Sequence, residues 1–416
     1  MRPGDWTRRP EYWAQDGRLH LGYANAARSY GFPIWIAEQD RFAHLYLLGR
    51  TGVGKSHLLK TLIQQDLQSG RGFLLLDPHG DLTRELSGLA DYPRLRVFNA
   101  AVPGLRLNPL DHAQGIASDL VVASVLSVFE KLWEDNWGPR LEHLLRNVLY
   151  TLLANPGTTL GSVSRLLSDR DYRKGLIASI QDNAVRSYWF DEYAGYSPAF
   201  QAVVTAPLLN KLGALLTDHR LRAILDTTET TLDLDRALTD SEAVVINLNK
   251  GEMGEGPANL LGGLITARLT LAGLARARIP EAERQPFFAY LDEFPGYATA
   301  LLATGLSELR KYRLGLILAH QYLSQLTPFI RDAILGNAGT ILCFRLGAPD
   351  ASLIAREFQP VFEPVDLLNL PNYHVYAKLL VRGQVSRPFS METYTDFLRS
   401  VTGTDCDPRT DGCPRS

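Results

Sequence analysis

Short continuous apolar runs alternate along much of the chain with stretches in which apolar residues recur every three or four positions. "AHLYLLG" (43–49), "GFLLLD" (72–77), "LRVF" (95–98), "EAVVINL" (242–248), "PFFAYLDE" (286–293) and "LGLILAHQ" (314–321) have the length and bounding residues of buried strands. "GTILCFRL" (339–346) and "HVYAKLLV" (374–381) add two more. Between them, Lys55 to Gln68, about Pro257 to Arg276, and 300–312 carry helical spacing. Strands alternating with helices predict an α/β fold with a parallel-rich sheet covered on both faces.

The pattern changes between Ala113 and about Leu225. "SDLVVASVLSVFEKLW", "PRLEHLLRNVLYTLLA", "TLGSVSRLLS", "DYRKGLIASIQ" and "TAPLLNKLGALLT" all repeat at helical spacing, with Ser, Pro or Asp near many of the starts. The expected organisation is a lead-in segment over 1–40, a first part of the core over 41–112 and an all-helical insertion over 113–225. A second part of the core follows over 226–400, and the polar tail 401–416 is expected to be disordered.

Hydrophobic residues make up 45% and charged residues 21%, and at 416 residues the chain can bury a substantial core. A net charge of −2 gives no global basic field, so any nucleic-acid contact must be local. "MRPGDWTRRPEYW" lacks the apolar centre of a signal peptide. No uncharged apolar run has the length of a spanning helix, since Arg268 interrupts "LLGGLITARLTLAGLA". A soluble, cytoplasmic protein is expected. Cys343 lies in an apolar run and Cys406 and Cys413 in the tail, which reads as reduced thiols rather than a disulfide framework.

The chemistry concentrates in a few short stretches. Gly49-Arg50-Thr51-Gly52-Val53-Gly54-Lys55-Ser56 fits G-x-x-x-x-G-K-[ST], with a strand before it and a helix after it. Its glycines let backbone N–H groups close around phosphate oxygens, and the helix N-terminus adds positive potential. Lys55 would reach the β- and γ-phosphates of ATP, and the Ser56 hydroxyl would take a place on Mg2+. Far downstream, a buried strand ends in Asp292-Glu293, costly for two acids unless they work or cap the next helix. Asp292 would hold Mg2+ through water and Glu293 would polarise an attacking water as general base. Gln321 follows the next strand and could place an amide near the γ-phosphate. Arg310, Lys311 and Arg313 end the helix between them, either as dipole complementation or as an arginine finger given to a neighbouring subunit. Arg345 is a second finger candidate. Asp77, His79 and Asp81 in "LLLDPHGDL" either shape the nucleotide pocket or form a plain strand-to-turn junction.

In this order "GRTGVGKS", "LLLDPHGDL", "NLNKG", "LDEF", "LRKYRLGL", "AHQYLSQL" and "FRLGAPDA" resemble the HerA–FtsK superfamily of DNA-pumping ATPases. Within it the chain is most similar to the TraG/TraD-like coupling ATPases of type IV secretion, over about residues 20 to 395. The helical insertion resembles the all-alpha domain of those proteins. The resemblance implies a RecA-like P-loop core, a homo-hexameric ring around DNA, and ATP hydrolysis at subunit interfaces. It places Lys55 and Ser56 at the Walker A pair, Asp292 and Glu293 at the Walker B pair, Gln321 at the sensor glutamine and Arg310 at the interfacial arginine. It also implies a protein partner, such as a nuclease or relaxase. Neither the membrane helices of coupling proteins nor the β-barrel of HerA-type helicases has a counterpart in these residues. The function expected is an ATP-driven DNA translocase; the alternative is a regulatory ring NTPase whose ATP-dependent shape controls a partner. A small-molecule kinase would leave the acid pair and the large helical insertion without a task.

Overall fold

In a computed structural model, which describes residues 18–25, 29, 31–86, 94–111 and 116–393, the eight apolar runs supply strands to an eleven-stranded sheet. Its strands in chain order are β1 (Arg18–Ala24), β2 (Pro33–Ala37), β3 (Leu45–Leu48), β4 (Gly72–Asp77), β5 (Leu95–Asn99) and β6 (Ala243–Asn247). They continue with β7 (Phe287–Asp292), β8 (Leu314–His320), β9 (Thr340–Cys343) and β10 (His374–Lys378). A two-residue hairpin, β11 (Leu380–Val381) with β12 (Gln384–Val385), precedes β13 (Phe389–Glu392). The order across the sheet is β2-β1-β13-β10-β9-β3-β8-β7-β4-β6-β5. From β9 to β5 all pairings are parallel; β10, β13, β1 and β2 close the other side antiparallel.

The runs are continuously apolar because both faces of the central strands are covered, and successive side chains feed two different cores. Tyr46, Leu48, Leu74, Leu76, Leu316 and Leu318 enter one. Leu45, Leu47, Phe73, Leu75, Ile317 and Ala319 enter the other, where Leu58, Leu59, Leu62 and Ile63 of the helix Lys55–Gln68 meet them. Parallel strands with helical crossovers leave every strand C-terminus of this region on one edge of the sheet, the edge at which ligands bind in such folds.

Within the expected lead-in, strands β1 and β2 do not stand apart from the core. Tyr23 and Ala24 of β1 pair with Glu392 and Met391, and β2 pairs with β1. A two-stranded ribbon cannot bury Leu19 and Leu21 by itself, and the sheet edge supplied by β13 allows it to. The partner lies some 370 residues away in sequence, so the segment's place is invisible locally.

A further helix, Leu234–Asp240, lies past 225, and Ser197, Asp218 and Asp233 cap first-turn N–H groups of Pro198–Thr217, His219–Leu225 and Leu234–Asp240 in turn. Helix Ser118–Leu132 packs along Glu255–Ala275, so closely that a Cβ on Gly263 would meet Val128 Cγ1 at 2.8 Å. The insertion therefore shares the core on its side of the sheet. Two helices among the described residues are long and apolar enough to cross a membrane by length and composition, although a charge interrupts each, Lys211 in one and Arg268 in the other, as expected of runs that are not uncharged throughout. One, Glu255–Arg278, is mostly buried and is the core helix just described, with Arg268 paired to Asp235. The other, Pro198–Thr217, is mostly exposed and buries only Thr205, Leu208 and Leu212. The expected tail, with Cys406 and Cys413, lies outside the described residues. Cys343 is buried at the end of β9, with no disulfide.

Candidate active site

The phosphate loop leaves β3 and turns into helix Lys55–Gln68 as the spacing predicts. Gly52 and Gly54 take φ of 76° and 115°, which a side chain would strain. A Cβ on Gly49 would meet Phe344 Cβ at 2.5 Å, so the loop is also pressed against the segment after β9. The Lys55 ammonium is buried and donates to the carbonyls of Gly49 (2.5 Å) and Arg50 (3.1 Å). Burial pushes its pKa down, opposed by the nearby charges of Glu293 and Asp292.

Strand β7 delivers the acids. Asp292 is 8% exposed, and burial, then the charges of Glu293 and Asp77, push its carboxyl up to about 7, with Lys55 pulling the other way. Two carboxylates held beside a buried position with one ammonium are what a divalent cation would relieve, since a bound cation reverses the effect of clustered acids. The acid pair therefore fits Mg2+, and the glycine cradle with Lys55 fits the phosphates of ATP; Ser56, the expected second metal ligand, is exposed in the first turn of the helix Lys55–Gln68. When bound, ATP with Mg2+ supplies the transferable phosphoryl group and neutralises charge on its oxygens.

Glu293 adopts a left-handed backbone, φ 45°, unusual for its residue type and a mark of sites where geometry is set by function. Its N–H donates to Asp292 Oδ1 (3.1 Å), and its carboxylate accepts from Gln321 Nε2 at 2.8 Å. Gln321 Oε1 accepts from the Thr51 hydroxyl at 2.7 Å. The strand order explains this contact: β8 lies between β3 and β7, so the residue that follows it stands between the loop and the acids. Lys55, Thr51, Asp292, Glu293 and Gln321 are thus brought together at one edge.

Asp77 resolves to a turn residue. Its carboxylate accepts from the backbone N–H of His79, Gly80 and Thr83 and from the Thr83 hydroxyl, which uses it up in shaping the strand-to-helix junction. His79 lines a cleft of about 480 Å³ with Lys131, Lys250, Glu293 and Gln321.

Arg310 is not brought to the site. It precedes β8, at the opposite edge of the sheet from Gln321, and a strand of seven residues separates the two by roughly 20 Å at ~3.3 Å per residue. Lys311 pairs with Glu308 and Arg313 with Glu38, whereas the exposed Arg310 side chain has no hydrogen-bond or ion-pair partner among the described residues. Arg345 stands at the loop itself: its carbonyl accepts from Arg50 N–H, and its guanidinium is committed to Leu370 O and Asn372 Oδ1. Sequence reasoning missed Tyr373, held at φ 65° by backbone bonds to Val53 and Thr393, with Cδ1 2.8 Å from where a Cβ on Gly54 would lie. A lone tyrosine before a strand carries no signal of this.

A family model described as the central domain of helicase HerA matches residues 37–255. A comparison with curated proteins found no match. Among solved structures, the bacterial conjugative coupling protein TrwBΔN70 in an unbound form is 15% identical, over 92% of this chain and 91% of that one, at a TM-score of 0.63. Plasmid coupling protein TrwB in complex with ADP and Mg2+ is 16% identical, over 93% and 92%, at 0.62. VirB4 of Thermoanaerobacter pseudethanolicus is 15% identical, over 92% and 97%, at 0.62. What is shared at this identity is the fold, a RecA-like P-loop core.

Proposed function

We propose, from the premise that the chain belongs to the family of the HerA helicase central domain and is a P-loop ATPase, that it is an ATP-driven DNA translocase. It works in the cytoplasm as a homo-hexameric ring and hydrolyses ATP with Mg2+ at the interfaces between subunits. Its cargo is duplex or single-stranded DNA drawn through the ring. Lys55 holds the β- and γ-phosphates, Ser56 and Asp292 the metal, Glu293 polarises water, and Arg310 of one subunit completes the site of the next.

The single observation that carries the reading is the division of the catalytic set between the two edges of the sheet. Lys55, Asp292, Glu293 and Gln321 converge at one, while the unpaired Arg310 projects from the other, roughly 20 Å away by strand length. A cation that cannot serve its own site can serve a neighbour's in a head-to-tail ring, which closes by rotation. That TrwB, whose fold the chain shares, is a plasmid coupling protein supports DNA as the cargo.

The test is ATPase rate with and without duplex DNA of increasing length. Stimulation should rise with length until the DNA spans the ring and then level off. Binding should be independent of sequence and weaken steeply with salt, because phosphate contacts release counterions. An assembled ring with neither stimulation nor salt-sensitive DNA binding would overturn the translocase and leave the regulatory NTPase, controlling a protein partner, as the reading.

A further inference from the structure

The bridge between Thr51 and Glu293 has a fixed polarity. A carboxylate only accepts, so the Gln321 amide must turn its NH2 to Glu293 and its oxygen to Thr51, which must then donate. Both ends of the amide are consequently engaged within the protein, and the one hydroxyl proton of Thr51 is spent on Gln321. Strand order enforces the arrangement, since the residue after β8 has the loop on one side and Glu293 on the other. Glu293 is itself held in a left-handed conformation, so its carboxylate is aimed by its backbone as well as by Gln321.

We propose that Thr51, Gln321 and Glu293 form a latch that holds the general base in its resting position, and that Thr51 makes this position depend on whether the end of the phosphate loop is occupied. Thr51 is a positioning residue that acts through Gln321. For the amide or the Thr51 hydroxyl to turn towards a terminal phosphate, at least one of the two hydrogen bonds has to open. A diphosphate does not reach that end of the loop and leaves the latch closed. The free energy of the latch is therefore set against binding of a triphosphate but not of a diphosphate, since only differential interaction shifts a two-state equilibrium. The inference rests on the assignment of Lys55 to the phosphates and Glu293 to base catalysis, and adds to it a conformational step.

The experiment measures binding rather than turnover. Affinities for ADP and for a non-hydrolysable ATP analogue, both with Mg2+, are measured by titration calorimetry in the wild type and in Thr51→Val, Thr51→Ser, Glu293→Ala and the Thr51→Val/Glu293→Ala double variant. Thr51→Val keeps the side-chain shape and removes the donor. The ratio of analogue to ADP affinity should rise in it by roughly threefold to tenfold, the worth of one hydrogen bond in partial contact with water. Thr51→Ser, which can remake the bond, should keep the wild-type ratio. Glu293→Ala should raise the ratio too, and Thr51→Val should add less in that background than alone, because the latch is already open. An unchanged ratio in Thr51→Val, or strictly additive effects of the two substitutions, overturns the latch. A lower ratio also overturns it, by showing that the hydroxyl serves the terminal phosphate rather than Gln321. If the wild type binds neither nucleotide and Lys55→Ala changes nothing, the nucleotide assignment itself has failed, an outcome distinct from these.

Discussion

At the scale of single residues, the proposed roles separate binding from chemistry. Lys55 is buried and hydrogen-bonded to the loop it serves, so Lys55→Ala should abolish most nucleotide affinity. Glu293→Gln keeps the size and the left-handed backbone but removes the base. It should bind ATP nearly as the wild type does and lose turnover by ~10² to 10⁴-fold, the usual contribution of one general base. Near-normal turnover in Glu293→Gln, measured as phosphate release at saturating ATP, would remove the base from Glu293. Both residues are legible as candidates in the sequence, because a lysine in a glycine loop and an acid at a buried strand's end stand out locally. Thr51 could be named only as a loop residue; its partner lies 270 positions on, and no spacing rule joins them.

At the scale of elements, buried polar groups fix how helices and strands sit on one another. Arg41, ahead of β3, is fully buried and bonds both oxygens of Asp66 on the phosphate-loop helix at 2.9 and 2.6 Å, while Tyr290 on β7 donates to the same carboxylate at 2.5 Å. Asp66→Ala should destabilise the protein by about 3–5 kcal/mol in urea unfolding, because it leaves a guanidinium buried without its counter-charge. The pair Arg41→Met with Asp66→Leu should recover most of that, as removing both charges removes the desolvation cost. His44 ties the strand β8 to the helix before it: its Nδ1 accepts from Leu316 N–H and its Nε2 donates to Leu306 O. Burial pushes this imidazole down to about 4, so it stays neutral in the folded protein. Between pH 6.5 and 4 the unfolded chain binds a proton there that the folded chain does not, and stability falls as pH falls. His44→Asn, which suits the left-handed φ of 64°, should be less acid-sensitive than the wild type by up to about 3 kcal/mol across that window. Parallel stability–pH curves for the two proteins would contradict it.

At the scale of the whole molecule, the prediction concerns assembly. If Arg310 acts on a neighbour, mixing Arg310→Ala subunits with Lys55→Ala subunits should restore part of the ATPase rate, since some interfaces then carry both groups. Arginine fingers contribute ~10³ to 10⁵-fold, so even a minority of repaired interfaces should be measurable above either inactive parent. Mixtures as inactive as the parents, in rings shown to exchange subunits, would place Arg310 in cis or in a structural role. The separation of Arg310 from its own site follows from a helix ending where a strand begins, and is a property of the α/β crossover rather than of the arginine.

The sequence by itself determined the elements and the nucleotide chemistry. Helix Lys55–Gln68 lies where the periodicity puts it, strands β3 to β10 fall on the apolar runs while β1, β2 and β13 do not, and the phosphate loop and acid pair are contiguous motifs legible in short windows. These are short-range matters of steric preference, burial pattern and local charge. Tertiary structure alone decided which runs lie side by side. The apolar strands are nearly interchangeable as sequences, and their order is fixed by packing both faces and by crossover handedness, neither of which a local window contains. That order put β8 between the loop and the acids, joining Thr51 to Glu293 through Gln321. It drew β1, and β2 with it, onto β13 at the far end of the chain.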